Sequence, residues 1–355
     1  MYRNYKIVCV TPAGRRRYMQ YLIPQIITSD IIDRYDIWIN TVNKEDIYFF
    51  KKLSEKYPVI NLVWQPDGKV NGNMTINAFY KKCIADDCIY FKLDDDIVWM
   101  EPGLIKKMVD FRIDNPDYFL VSPLVINNAL CTYILEVKGL IKLRGYMDAS
   151  ASHSILWRSG TFASSLHDWF IRQWLLTGKY ADLHCGKFEI GMTRFSINAI
   201  LWFGSQMKAF GGIIPDNPGD DEEFLSCIYP ASTGKCNCVN GDAIVSHFAF
   251  FTQRRQLDRE SVLERYGKYL HMVWDNDDEL KSAGRFIQET MMEIEAERER
   301  IQEMDIPYVE AVHVKRRKSF VEIRENLFMS ILPAKIYNYR QESRAERKNR
   351  KLIIM

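Results

Sequence analysis

Apolar positions in the first 130 residues form short unbroken runs that alternate with stretches of helical period. "YKIVCVT" (residues 5–11) has no polar face, the signature of a strand buried on both sides. After "PAGRRR" comes "RYMQYLIPQIIT", a helical pattern that Pro24 interrupts. The rhythm then repeats. "YDIWINTVN", "VINLVWQP", "CIYFKLDDDIVWM" and "YFLVSPLVIN" read as four further strands. "EDIYFFKKLSEKY", "NGNMTINAFYKKCIA" and "GLIKKMVDFRIDN" read as the helices between them. Strand, helix and strand in this order predict an α/β fold with a mostly parallel, doubly wound sheet flanked by helices. Such sheets bind ligands at the carboxyl ends of their strands. The polar patches Thr11–Arg17, Asn40–Asn43, Asp94–Asp96 and Asn127–Asn128 each follow a strand, so they should converge on one rim.

From about 140 to 254 the pattern is less regular and rich in aromatic and small residues, and no repeat is visible. Beyond Arg255 two helical stretches follow, "SVLERYGKYLHMVW" and "DDELKSAGRFIQETMMEIEAERERIQEM", closed off by Pro307. The expected organisation is a catalytic domain over 1–254, a helical extension over 255–310 and a basic tail over 311–355. Within the first of these, a donor half (about 1–130) precedes an acceptor half (about 131–254).

Composition narrows the class. With 47% hydrophobic, 13% aromatic and 26% charged residues and a net charge of +2, the chain can bury a large core and is not generally disordered. The near-neutral total hides an asymmetry. Residues 275–303 carry ten acidic against four basic side chains, and 311–355 carry twelve basic against four acidic. That tail is a solvated helix face, or a contact for anionic membrane or nucleic acid. No apolar run reaches the roughly 18 to 20 residues of a membrane span. The first residues lack a signal-peptide layout, which gives a cytoplasmic expectation. Eight scattered cysteines, with the "CNC" pair spaced too tightly for a zinc knuckle, read as buried thiols in a reducing compartment.

The most informative stretch is "YFKLDDDIVWM". Three successive carboxylates between apolar runs repel one another unless a cation sits among them. A Mg²⁺ or Mn²⁺ ion takes one or two carboxylates and leaves its other positions to water and phosphate oxygens. Strand alternation would turn Asp94 and Asp96 to one side and Asp95 to the other. Further on, "PGDDEEFLSCI" reads as a loop entering a helix, with Asp220 as N-cap and Glu223 three residues later. Trp99, Trp157 and Trp202 are either core residues or a wall for stacking sugars.

Taken together, "VTPAGRRRYM", "YFKLDDDIVW", "GDDEEFLS" and "VSHFAFFTQR" resemble the GT-A-type glycosyltransferases, nucleotide-sugar enzymes with a DxD motif after a hydrophobic strand. The resemblance spans residues 5 to about 254, although the first loop holds a single glycine. It implies a GT-A (Rossmann-like) fold and a nucleotide-diphosphate sugar donor, UDP-linked. Asp94 and Asp96 would bracket Mn²⁺ or Mg²⁺ on the diphosphate, Asp95 would lie near the ribose or sugar, and His247 would complete the metal or phosphate site. Asp221 or Glu222 would be the general base in an inverting enzyme, or would orient the acceptor in a retaining one. Thr11, Pro12, Ala13, Gly14 and Arg15, with Asn40 and Thr41, would border the nucleoside and diphosphate, and Asn71 and Gly72 the base or ribose. The acceptor is a glycan or lipid-linked sugar, or a hydroxymethylated DNA base of the kind some phage enzymes modify. Two other readings stay open. A sugar nucleotidyltransferase shares the sheet and acidic site, though "TPAGRRRY" matches its glycine- and lysine-rich loop poorly. A non-enzymatic assembly protein would leave the aspartates unexplained.

Overall fold

The computed structural model describes residues 1–66, 68–70, 73–145, 147–151, 154–215 and 220–310. Asn71 and Gly72, and the whole basic tail from 311, lie outside the described residues. The strands are β1 (Lys6–Ala13), β2 (Arg34–Ile39), β3 (Ile60–Val63), β4 (Lys69–Val70), β5 (Cys88–Leu93), β6 (Ile97–Met100), β7 (Val121–Ile126), β8 (Lys187–Ile190), β9 (Ala199–Phe203), β10 (Asn237–His247) and β11 (Val309–Glu310). Helices α1 (Arg16–Ile27), α2 (Lys44–Lys56), α3 (Asn73–Tyr80), α4 (Leu104–Asp114) and α5 (Ala129–Val137) fall among the first seven strands and just after them.

One nine-stranded sheet runs β3-β2-β1-β5-β9-β7-β10-β6, with β8 on β10. β1 pairs in parallel with β2 and β5, β2 with β3, and β7 with β10. β9 is antiparallel to both neighbours, and β10 is antiparallel to β6 and β8. The fold is therefore α/β, a mainly parallel sheet between helices. β5 and β7 are buried along their whole length, and β1 in all but its first residue. Helices on both faces remove the polar alternation that a half-exposed strand would show.

Two expectations are corrected. "CIYFKLDDDIVWM" is not one strand. β5 ends at Leu93, a turn closed by the Ile97 N–H on the Asp94 carbonyl (3.1 Å) carries the aspartates, and β6 departs to pair with β10. Strand alternation thus does not govern where the three carboxylates point. The region 140–254 is also more regular than its composition suggests, since it supplies β8, β9 and the eleven-residue β10. Pro123, in the middle of the sheet, offers no N–H to the ladder. It stands opposite Asn240, where the β7–β10 register jumps from Asn240 to Ile244.

The helices beyond 255 form a layer on the core. Tyr266, Leu270 and Trp274 of the helix Val262–Trp274 are buried, as are Ile287 and Ile294 of the helix Asp278–Ala296. Tyr48 of α2 donates to Glu293 (2.5 Å), and Tyr308 donates to the carbonyl of Ile39 (3.0 Å) just before β11 pairs with β4. Among the described residues no helix is long and apolar enough to cross a membrane.

Candidate functional site

β1, β2, β5, β7 and β10 all point the same way, so their carboxyl ends share one rim. There a cavity of about 690 Å³ opens. Its lining includes Pro12, Gly14, Arg15, Asn40, the aspartate turn, Arg194, Ser196, Ile197, Asn198, Asp220, Asp221, Glu222, His247, Ala249, Phe250, Phe251 and Arg254.

The aspartates are held mainly by cations and N–H donors of the chain itself. Asp95 accepts the Gly14 N–H (3.0 Å) and the Arg15 Nε–H (3.0 Å). Gly14 fits closely here, since a Cβ at that position would lie 3.1 Å from the Asn40 carbonyl oxygen and push it back by a few tenths of an ångström. The Arg15 guanidinium bridges onward to Asp96 (2.9 Å). Its Nη1 is buried and has no partner among the described residues, as is the Nε of Arg254, whose Nη2 stands 3.8 Å from Asp96. Asp94 turns elsewhere. Its carboxylate pairs with Lys92 (2.5 Å), a lysine only 3% exposed, and accepts from Asn198 (3.2 Å). Burial raises the Asp94 pKa, and Lys92 only partly offsets it. Burial opposes ionisation of Asp96 as well, but Arg15, His247 and Arg254 overcome it and hold that carboxyl well below the usual carboxylate range.

His247 is 2% exposed, at the last position of β10. Its Nδ1 lies 3.4 Å from the carbonyl oxygen of Asn127, which can only accept, so Nδ1 carries a proton. Nε2 then faces Asp96 Oδ1 at 3.4 Å. A bare lone pair against a carboxylate is unfavourable, so either a second proton or a cation belongs between them. Adjacent ligands of an octahedral cation at about 2.1 Å stand about 3.0 Å apart, close to this spacing, and a metal-binding histidine typically donates its other N–H to a carbonyl. Asp96 and His247 therefore fit a hard divalent cation that takes its remaining ligands from phosphate and water. Among the described residues, no cluster of three or more His, Cys, Asp or Glu side chains is arranged to hold one. Asp94, expected as a third ligand, is paired with Lys92.

Behind His247 lies a buried network. Asn127 is fully buried with φ +66°, and its amide donates to Phe248 O (3.0 Å) and Gln253 Oε1 (2.9 Å). His167 donates Nε2–H to Phe248 O (2.8 Å) and accepts at Nδ1 from Tyr266 (2.9 Å), which meets Ser246 (2.7 Å). Burial pushes the His167 pKa down to about 3, so this ring is neutral. These contacts fix the chain from β10 to Arg254.

In the same cavity Asp220 caps its helix by accepting the Glu223 N–H (2.9 Å). Arg194 gathers the acids, reaching Asp220 at 2.9 Å and Glu222 at 2.8 Å. Asp221 accepts from Tyr80 (3.0 Å). Burial raises the Glu222 pKa despite the opposing pull of Arg194.

Of the residues singled out in the sequence, Pro12, Gly14, Arg15, Asn40, Asp94, Asp95, Asp96, Asp221, Glu222 and His247 line this one cavity. Thr11 is buried within the sheet, where it accepts from Tyr35 (2.9 Å), and Ala13 is fully buried. Thr41 accepts the Asn43 N–H (3.0 Å) ahead of α2. Trp99 and Trp202 are core residues, and Trp157 lines the cavity. Sequence reasoning missed Lys92, Arg194, Asn198 and Arg254. Only Lys92 left a signal, as a lone charge inside an otherwise apolar strand.

No family model matches the chain, and no curated protein matches it. Solved structures do resemble it. One is CMP:2-keto-3-deoxy-manno-octonic acid synthetase complexed with CTP, at TM-score 0.39 and 9% identity, covering 74% of this chain and 98% of that one. Another is 4-diphosphocytidyl-2C-methyl-D-erythritol synthase from Anaerococcus prevotii, at TM-score 0.38 and 12% identity, covering 74% and 96%. A mycobacterial protein follows at 0.28 and 14%, covering 47% and 62%.

Proposed function

We propose that this cavity binds a nucleotide-diphosphate sugar and that the chain is a transferase acting on it, by transfer of the sugar to an acceptor hydroxyl. The observation that carries the reading is the pair of guanidinium groups, Arg15 and Arg254. Both line the cavity beside the aspartate turn, Arg15 at 2.9 Å and Arg254 at 3.8 Å from Asp96. Two guanidinium groups in one cavity suit the two phosphates of a diphosphate, whose oxygens accept charge-assisted hydrogen bonds from such forks. Asp95, itself fixed by the Gly14 N–H, holds Arg15 in place, so the arginine is oriented before anything binds.

Asp96 and His247 are the residues that would hold Mg²⁺ or Mn²⁺. Such an ion, when bound, neutralises charge on the departing diphosphate. Arg15 and Arg254 contribute to the same stabilisation without moving. In the same cavity, Glu222 is the general base. Its pKa is raised by burial, which suits proton abstraction from a hydroxyl near neutral pH, and Arg194 fixes its orientation. Asp221, whose carboxylate accepts from Tyr80, orients the acceptor.

The competing reading is sugar nucleotidyl transfer, the kind of reaction named for the CMP-sugar synthetase that the fold resembles. It would use the same guanidinium groups on a triphosphate. Product analysis separates the two. Incubation with UDP-sugars, Mn²⁺ and sugar acceptors should release UDP and a glycosylated product. Pyrophosphate released from a nucleoside triphosphate and a sugar, with no UDP released from any donor, would establish the competing reading instead.

A further inference from the structure

The cavity also holds an aromatic corner to which the diphosphate reading gives no role. There Phe251 is 64% exposed, and its ring stands edge-on to Trp157, with centroids 5.1 Å apart and planes at 83°. Both line the cavity, and the Arg158 guanidinium sits 5.6 Å from the Trp157 ring centroid. An exposed phenylalanine on a loose loop would be unremarkable, but this one is fixed. The Thr252 hydroxyl donates to the Trp157 carbonyl, Gln253 donates to the Leu156 carbonyl, and Gln253 accepts the Phe250 N–H (3.0 Å). The aromatic corner is thus held in place. The same cavity is bordered by an acidic lip of Asp220, Asp221, Glu222 and the adjoining Glu223, and Arg194 pairs with three of these four. The lip keeps an excess of negative charge.

We propose that Trp157 and Phe251 form the acceptor subsite and that the acceptor is an uncharged carbohydrate. Its ring lies against the aromatic corner and its hydroxyls meet the carboxylates of the acidic lip. The proposal deepens the glycosyl-transfer reading and rests on it. A pyranose presents an apolar C–H face to an aromatic ring and a rim of hydroxyl donors to carboxylates, so this mixed lining suits it. A phosphodiester backbone brings negative charge against the acidic lip, which disfavours a hydroxymethylated DNA acceptor.

Saturation-transfer NMR on the full chain with UDP and Mg²⁺, a diamagnetic cation that leaves ligand signals sharp, tests this. The probes are methyl β-D-glucopyranoside, methyl β-D-galactopyranoside, methyl α-D-mannopyranoside and a duplex containing 5-hydroxymethylcytosine. At least one glycoside should receive saturation on its ring protons, and the duplex should not displace it. Phe251→Ala, a change at an exposed side chain, should weaken that glycoside about tenfold, the loss of one ring contact, and leave the UDP affinity from calorimetry unchanged. Trp157→Leu should do the same, and Trp157→Phe should restore binding. Absence of saturation transfer to all three glycosides, full glycoside binding by Phe251→Ala, or displacement by the duplex each overturns the subsite. Glycoside binding without any UDP binding would leave the subsite standing and overturn the donor reading.

Discussion

Arg15 ties the Pro12–Arg15 loop to the aspartate turn through Asp95 and Asp96, and its buried Nη1 has no partner among the described residues. Lysine at this position keeps the charge but cannot bridge two carboxylates and still present a third donor in a fixed plane. Arg15→Lys should therefore weaken nucleotide-sugar binding at least tenfold, about 1.4 kcal/mol, measured by calorimetry. Equal affinity would remove the arginine from the diphosphate site. Glu222 makes a separable claim. Glu222→Gln keeps its shape but cannot take a proton, so kcat should fall by about 10² to 10⁴ with donor affinity unchanged. In the wild type, kcat should decline as pH falls through the raised Glu222 pKa, because the protonated carboxyl is no longer a base. A kcat–pH profile flat across that window would exclude this residue as the base.

At the scale of elements, the important piece is the end of β10 and the loop to Arg254. Five buried polar side chains (Asn127, His167, Ser246, Gln253 and, through its hydroxyl, Tyr266) hold it by hydrogen bonds. Asn127→Asp removes two amide donors and sets a buried carboxylate against the Phe248 carbonyl. It should cost about 2 to 3 kcal/mol in urea unfolding and impair donor binding as well, since the segment from Phe248 to Arg254 loses the amide donors that fix it. A variant with unchanged stability would show that the network is dispensable. His167 gives the element a pH signature. Its folded pKa of about 3 lies below the ordinary histidine value, so the unfolded chain binds the extra proton first as pH falls. Its contribution is fully present above about pH 6.5 and is lost progressively below it, at up to about 1.4 kcal/mol per pH unit. Urea midpoints across pH 4 to 7 should fall toward acid in the wild type, and less steeply in His167→Gln.

Legibility in the sequence followed the same physics. The first five strand runs and their helices were readable because burial on both faces writes long apolar runs, and the α/β class followed from their rhythm. The aspartate turn was misread as strand. A three-residue turn between two fully buried strands carries no glycine or proline, and nothing in the local chemistry interrupts the run. β10 was missed because "NGDA" at the register jump opposite Pro123 reads as a loop. Site residues at strand ends announced themselves as polar breaks in apolar runs. Arg194 did not, because it lies in no strand-end break and reaches the cavity through the fold alone, and Arg254 closes the "VSHFAFFTQR" stretch without any local feature that separates it from a surface charge.

At the scale of the whole molecule, a single rim gathers the loop after β1, the aspartate turn, the end of β10 and the acidic lip around one cavity. The helices after 255 back this arrangement through α1 and α2. Tyr308 ties residues 306–310 to the end of β2, beside Asn40. Tyr308→Phe deletes that hydroxyl, leaving the Gln65 N–H without its acceptor, and should lower stability by about 1 to 2 kcal/mol. If the contact only fastens the layer, donor affinity should stay within about twofold of the wild type, less than 0.5 kcal/mol. The central claim is that the rim binds a nucleotide-diphosphate sugar through Asp96, His247 and the two arginines. The most direct measurement is calorimetric titration of UDP-glucose and other nucleotide sugars into the wild type and Asp96→Asn, each with and without Mn²⁺. The account predicts saturable binding of at least one nucleotide sugar that strengthens with Mn²⁺, and loss of that Mn²⁺ dependence in Asp96→Asn. Failure of every nucleotide sugar to bind, or identical titrations for the two proteins, would contradict it.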